Sequence, residues 1–189
     1  VLLFTFLVTL VMGIKEGILL GTLVALSLMI YRSSQPHIAI LGRIKGTSRF
    51  RNVLRFSEET ETFPGVLIIR FDGQLFFGNH IYFKKQITER MEEQKNKIQF
   101  LVIDAGPIHY IDASASTTLE YWIQELQQKN IKVLWVKAIG PIRDILYRDG
   151  LVKIVGKRNF FSNLNTAIKH SQGEEIPKIE KRISNHSNL

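Results

Sequence analysis

With 189 residues, 45% of them apolar and 22% charged, the chain has material for one ordinary domain plus an appendage. Its composition excludes a collagenous, mucin-like or wholly disordered polymer. Lys and Arg number 25 against 17 Asp and Glu, a formal charge of +8, and the absence of cysteine removes disulfide scaffolds, Cys-ligated zinc, iron-sulfur clusters and thiol nucleophiles.

The first 31 residues carry only Lys15 and Glu16 as charges. A secretory leader would need a basic start and one uninterrupted apolar stretch, and neither is present. With no initiator Met, the chain is expected to begin inside a larger polypeptide. One helix of this length would span about 46 Å, well beyond a hydrocarbon core of about 30 Å. Two apolar segments, residues 1–14 and 17–31, each somewhat short for crossing, are therefore expected to meet near Gly13, Lys15, Glu16 and Gly17. Both are apolar all round, unlike a surface helix, so they are read as membrane-embedded.

Residues 32–65 form a basic juxtamembrane linker and first strand. Arg32, Arg43, Lys45, Arg49, Arg51 and Arg55 precede the first acid, Glu58. Positive charge behind an apolar segment is retained on the cytoplasmic side, which predicts a cytoplasmic location for the residues beyond Tyr31. Nucleic-acid binding is the competing reading of a basic patch, and no accompanying helix-turn-helix or RNP-like motif supports it.

From His37 onward, short apolar runs alternate with amphipathic stretches, the pattern of an α/β layer fold with a central sheet packed by helices. Strands are expected at 38–41, 66–71, 100–104 and 132–136. The last three are nearly continuous in apolar residues, as central strands covered on both faces would be. Helices are expected at 79–96, with Phe83, Ile87 and Met91 inward, and at 115–128, with Ala115, Leu119, Trp122, Ile123 and Leu126 inward. A third has Pro141 in its first turn and stops at Gly150; a fourth is capped by Ser162 and buries Leu164, Ala167 and Ile168. Residues 46–64 and 73–78 read as loops, 66–170 as the domain core and 171–189 as a polar tail.

The stretch LVIDAGPIHYIDASASTTLEYWI runs from a buried strand through a turn into an amphipathic helix. Ser114 is placed to cap that helix by accepting from its free N–H groups. The same geometry suits a phosphate on Ser114 or an anionic ligand beside it, with Asp112 opposing the added charge, so that phosphorylation would act as a switch. Asp104 and Asp112 are read as strand-end and loop-capping groups in preference to an acid–base pair. The five histidines lack metal-ligand spacing, no metal or cofactor is expected, and neither a P-loop nor a dinucleotide fingerprint occurs.

The order strand, Asp112, Ala113, Ser114, Ala115, apolar helix resembles the signature of STAS domains, the fold shared by anti-sigma-factor antagonists and the cytoplasmic tails of sulfate permease-type anion transporters. The antagonists usually carry Asp-Ser-Ser-Gly in this turn, with the second serine phosphorylated; here Ala115 stands in place of the glycine. A second stretch, Leu75, Phe76, Phe77, Asn79 and Phe83, is similar to the segment opening the first STAS helix of the permeases. The Gly17-Ile18-x-x-Gly21 stretch with Leu26, Ser27 and Leu28 resembles their last membrane segment. Phe76 and Phe77 are read first as core, and alternatively, with Asn79, as a surface docking on the membrane domain.

The resemblance implies the C-terminal part of a homodimeric, multi-pass secondary anion transporter of the inner (plasma) membrane. It implies a non-enzyme whose cytoplasmic STAS domain regulates transport, whose inorganic anion binds upstream residues, and whose partners include membrane lipid and a protein partner at the STAS domain. The alternative is a membrane-tethered STAS signalling module controlled by phosphorylation and binding a protein partner.

Overall fold

The computed structural model describes residues 1–94 and 96–174. It divides into two units, residues 1–36 and 37–189. The expected polar tail lies, from residue 175 on, outside the described residues.

The first unit is a helical hairpin, α1 (Leu2–Met12) and α2 (Ile14–Ser34). Gly13, at φ 109°, breaks the helix where a side chain would be strained. The break falls where the sequence placed it, but α2 is longer than expected. Its 21 residues rise about 31 Å, enough for a hydrocarbon core. Among the described residues it is the one helix long and apolar enough to cross a membrane. The two helices meet through small residues. A Cβ on Gly17 would come within 2.9 Å of Thr9 Cα, and one on Gly21 within 2.8 Å of Thr5 Cγ2. Gly17 and Gly21 are the buried residues of α2, whereas Leu2, Phe6, Val11, Ile18, Leu23 and Met29 are exposed. Such an inverted surface, small residues inside and large apolar ones outside, suits a lipid or protein-bundle environment.

The second unit is built on a seven-stranded sheet. Its path runs β2 (Phe50–Asn52), β1 (Ile38–Ile44), β4 (Val66–Phe71), β5 (Phe100–Asp104), β6 (Lys132–Val136) and β7 (Phe160–Phe161), with β3 (Thr60–Glu61) pairing off β1. β1 is antiparallel to β4, and β4 through β7 are parallel. The three parallel strands expected from their apolar runs occur at the expected bounds. β1 extends three residues past its expected end, and β2 and β3 occupy the expected loop at 46–64. Runs of two and three residues carry too little periodicity to be read as strands.

Helices α3 (His80–Glu92), α4 (Ala113–Gln128), α5 (Gly140–Arg148) and α6 (Leu151–Val155) come after the parallel strands, and α7 (Leu164–Ser171) closes the described chain. The larger core joins Leu67, Ile69, Leu101, Ile103, Val133 and Trp135 of the sheet to Phe83, Ile87, Leu119, Trp122 and Leu146 of these helices. Phe83 stands edge-on to both Phe71 and Trp122, at centroid distances of 5.0 and 5.6 Å. A smaller core on the opposite face sets Leu164, Ala167 and Ile168 against Ile68, Val102 and Leu134.

Two caps differ from expectation. The side chain of Asn163, not Ser162, caps α7 by accepting from Thr166 N–H at 3.0 Å. Gly150 ends α5 as expected, but at φ 79° it also turns the chain straight into α6, whose five residues are too few to show a periodic face.

Candidate functional site

The parallel strands deliver two loops to one edge of the sheet. One joins β4 to α3 (residues 72–79) and the other joins β5 to α4 (residues 105–112). A backbone bridge locks them together: Leu75 N–H donates to the Tyr110 carbonyl at 2.9 Å, and Asp112 N–H donates to the Leu75 carbonyl at 3.1 Å. Leu75, Ile108 and Ile111 are buried beneath that bridge.

The cap of α4 is Asp112, correcting the expectation that Ser114 fills this role. Asp112 Oδ1 accepts from Ala115 N–H at 2.8 Å, and its other oxygen, Oδ2, accepts from Phe77 N–H at 2.8 Å. One carboxylate therefore satisfies an orphan donor of the helix and pins the neighbouring loop. The helix consequently starts at Ala113, two residues earlier than expected. Ser114 lies within its first turn, exposed, and among the described residues its hydroxyl makes no hydrogen bond. Asp is as good a cap as Ser, and the sequence offered both two residues apart; only the start of the helix decides between them.

Phe77 is 70% exposed, against the expectation that it belongs to the core, while Phe76 is half-buried and meets it edge-on at 5.4 Å. Asn79 is buried, which removes its side chain from any docking surface. Its Oδ1 accepts from Phe76 N–H at 3.0 Å, and its Nδ2 donates to the Gln74 carbonyl at 2.7 Å. Asn79 thus shapes the loop that presents Phe77. Tyr110 on the second loop and Ile81 in the first turn of α3 are exposed too, adding to an apolar rim at this end of the sheet. Behind it, His80 Nδ1 and Thr118 Oγ1 lie 2.7 Å apart, joining α3 to α4.

A network of charges that sequence reasoning missed sits at the ends of β4, β5 and β6. Asp104 is buried; its Oδ1 accepts from Gly106 N–H at 3.2 Å and its Oδ2 from Lys137 Nζ at 3.2 Å. Arg70 pairs with Asp72 through Nε at 2.6 Å, and His37 Nδ1 approaches the same carboxylate at 3.1 Å. Burial pushes the Asp72 carboxyl up, but hydrogen bonds from Arg70 and His37 outweigh it and hold the group below the usual carboxylate range. The Asp72 hydrogen bond, opposed by partial burial and helped by the charges of Asp72 and Asp104, raises the Arg70 guanidinium. Arg70 and Asp104 stand opposite each other in register, a proximity that appears only once the strands are paired. Every carboxylate in this network has a cation or N–H partner, so its evident work is to close the strand ends. Among the described residues no group of three or more His, Asp or Glu is arranged to hold a metal ion.

Residues 58–167, more than half of the sequence, match the family model of the STAS domain. The chain belongs to the STAS domain family. Over 171 residues it is 31% identical to Sulfate transporter 4.1, chloroplastic, of Arabidopsis thaliana, covering 86% of this chain and 25% of that protein. To High affinity sulfate transporter 2 of Stylosanthes hamata it is 25% identical over 164 residues, again covering 25% of the relative. The chain thus spans about a quarter of the length of these relatives.

Among solved structures, the murine Solute Carrier 26 family member A9 anion transporter in its inward-facing state superposes with a TM-score of 0.79 at 15% identity, over 91% of this chain and 28% of that one. The SulP transporter STAS domain from Vibrio cholerae gives 0.51 at 21% identity, over 68% of this chain and 94% of that one. At these identities both likenesses show the STAS fold. The mixed sheet with α3 to α6 on one face is that fold in this chain, and the turn carrying Asp112 and Ser114 opens its longest helix.

Proposed function

We propose that this chain is the C-terminal part of a secondary anion transporter of the sulfate type, with α1 and α2 as its final membrane segments and a cytoplasmic STAS domain that regulates it. The carrying observation is the reach of the likeness. The shared sequence with Sulfate transporter 4.1 covers 86% of the chain, more than the α/β unit alone can supply, so it extends into the apolar hairpin. A free-standing signalling module would share the STAS portion and no more. The run of six basic residues before Glu58 supports a cytoplasmic STAS domain. The anion would bind upstream, between broken helices whose N-termini face it, and the chain itself has no catalytic task.

The regulatory face is the one carrying Ser114, Phe77 and Tyr110. An exposed hydroxyl in the first turn of α4 is open to a kinase, and the apolar rim offers a protein or the membrane domain a contact. The test is made in the whole transporter, as a homodimer in its native plasma membrane. Deleting residues 66–170 is expected to abolish anion uptake while the protein still inserts; unchanged uptake and assembly would remove the regulatory role. Extraction by alkaline carbonate would remove the membrane reading.

A further inference from the structure

We propose that residues 49–55, strand β2 and the turn that follows it, bind the headgroups of an anionic bilayer, with Arg49, Arg51 and Arg55 as cations and Leu54 as the apolar contact. The inference rests on the membrane reading of α2.

Three observations carry it. First, the cations are uncommitted. Arg43 is paired with Glu61 at 2.7 Å, and Lys45 donates to the Glu58 carbonyl at 2.8 Å, whereas among the described residues Arg49, Arg51 and Arg55 pair with no carboxylate. Arg51 instead lies over the Phe56 ring at 4.5 Å, a contact that leaves its charge unneutralised, and its side chain is exposed. Second, Leu54 is 71% exposed between Arg51 and Arg55. An apolar side chain flanked by exposed guanidinium groups suits the boundary between headgroups and acyl chains better than it suits water. Third, the strand pairing returns these residues toward the start of β1. Leu41 stands opposite Asn52, and Val53 N–H donates to the Ile40 carbonyl at 2.9 Å. In sequence, Ile40 follows the end of α2 by only six residues. Guanidinium groups near an anionic leaflet gain from its surface potential, within a Debye length of about 8 Å at physiological salt.

The cysteine-free chain allows one label to report the contact. Ser57→Cys, two residues beyond this segment, is coupled to an environment-sensitive fluorophore, and the full chain is reconstituted in phosphatidylcholine vesicles with or without phosphatidylglycerol. The expected result is a blue shift, and quenching by spin-labelled lipid, only in phosphatidylglycerol vesicles. It should be reversed when salt shortens the Debye length to about 3 Å. The Arg49→Gln, Arg51→Gln, Arg55→Gln triple variant should cut the response at least about tenfold. Equal response in neutral vesicles, or indifference to salt, would overturn the proposal, as would a response that rises only with protein density, the signature of a second copy. Flotation in alkaline carbonate reads α2 separately. If the chain floats with neither vesicle there, the membrane reading fails. The turn is then judged alone at neutral pH and low salt: binding confined to phosphatidylglycerol vesicles supports it and no binding overturns it.

Discussion

Asp112 and Phe77 are 35 residues apart, yet the carboxylate of the first accepts the backbone N–H of the second at 2.8 Å while also capping α4. Removing that side chain loses a helix cap and frees the loop that presents Phe77. Asp112→Ala is therefore expected to destabilise the α/β unit by about 1–3 kcal/mol, read by denaturant unfolding. Asp112→Asn, which keeps one acceptor oxygen, should fall between wild type and the alanine variant.

Ser114 supplies the contrast. Its hydroxyl makes no hydrogen bond among the described residues, so Ser114→Ala should shift stability by less than about 0.5 kcal/mol. A cost equal to that of Asp112→Ala would show that the cap had been assigned to the wrong residue. If the proposed switch operates, Ser114→Glu should alter uptake in the whole transporter while the unfolding midpoint stays nearly constant. Unchanged uptake would remove the switch.

In the apolar hairpin, Gly17 and Gly21 of α2 lie against Thr9 and Thr5 of α1 with no room for a methyl group. Gly17→Leu should part the helices at a cost of about 1–3 kcal/mol, seen as reduced membrane-assembled protein and faster proteolysis between them. Ile18→Leu, on the exposed side, should leave both unchanged.

Acid should weaken the α/β unit in two steps. His170 beside Phe161 has its pKa lowered, chiefly by burial and then by the charge of Lys132. Because the unfolded chain binds that proton more readily, stability is fully present above the unfolded value of about 6.5 and falls as the pH drops below it. The carboxyls of Asp72, Glu125 and Asp149 are also lowered: Asp72, against its burial, by Arg70 and His37, Glu125 by hydrogen bonds from Lys84 and Lys129, Asp149 by one from Arg148. Their contribution is present above the unfolded carboxylate range near 4 and lost below it. Thermal unfolding of His170→Gln across pH 5 to 7 should show a flatter profile than wild type, with the lower step retained. An identical slope in that window would sink the assignment to His170.

The architecture was legible where burial imposes long apolar runs. β4, β5 and β6 could be bounded from sequence because strands covered on both faces have no polar positions to blur their ends. The inward stripe of α4 was legible for the same reason. Short edge strands such as β2 and β3 were not, since pairing with β1, and not side-chain burial, defines them. In the candidate site, the residue types were readable but their division of labour was not. Asp112 joins residues from two loops, the buried Asn79 makes its bonds with backbone groups, and Arg70 meets the charge of Asp104 only through strand register. Phe77 shows the limit from the other side: an aromatic in an apolar phrase reads as core, and only the turn made by Asn79 sends it outward.

Ala115 is wholly enclosed at the third position of α4, where a glycine would leave the backbone freer. Its methyl group stiffens the opening of the helix by about 0.5–1 kcal/mol against unwinding. A charge added at Ser114, as the proposed switch requires, would meet a rigid platform and change the electric field above it, not the path of the backbone beneath.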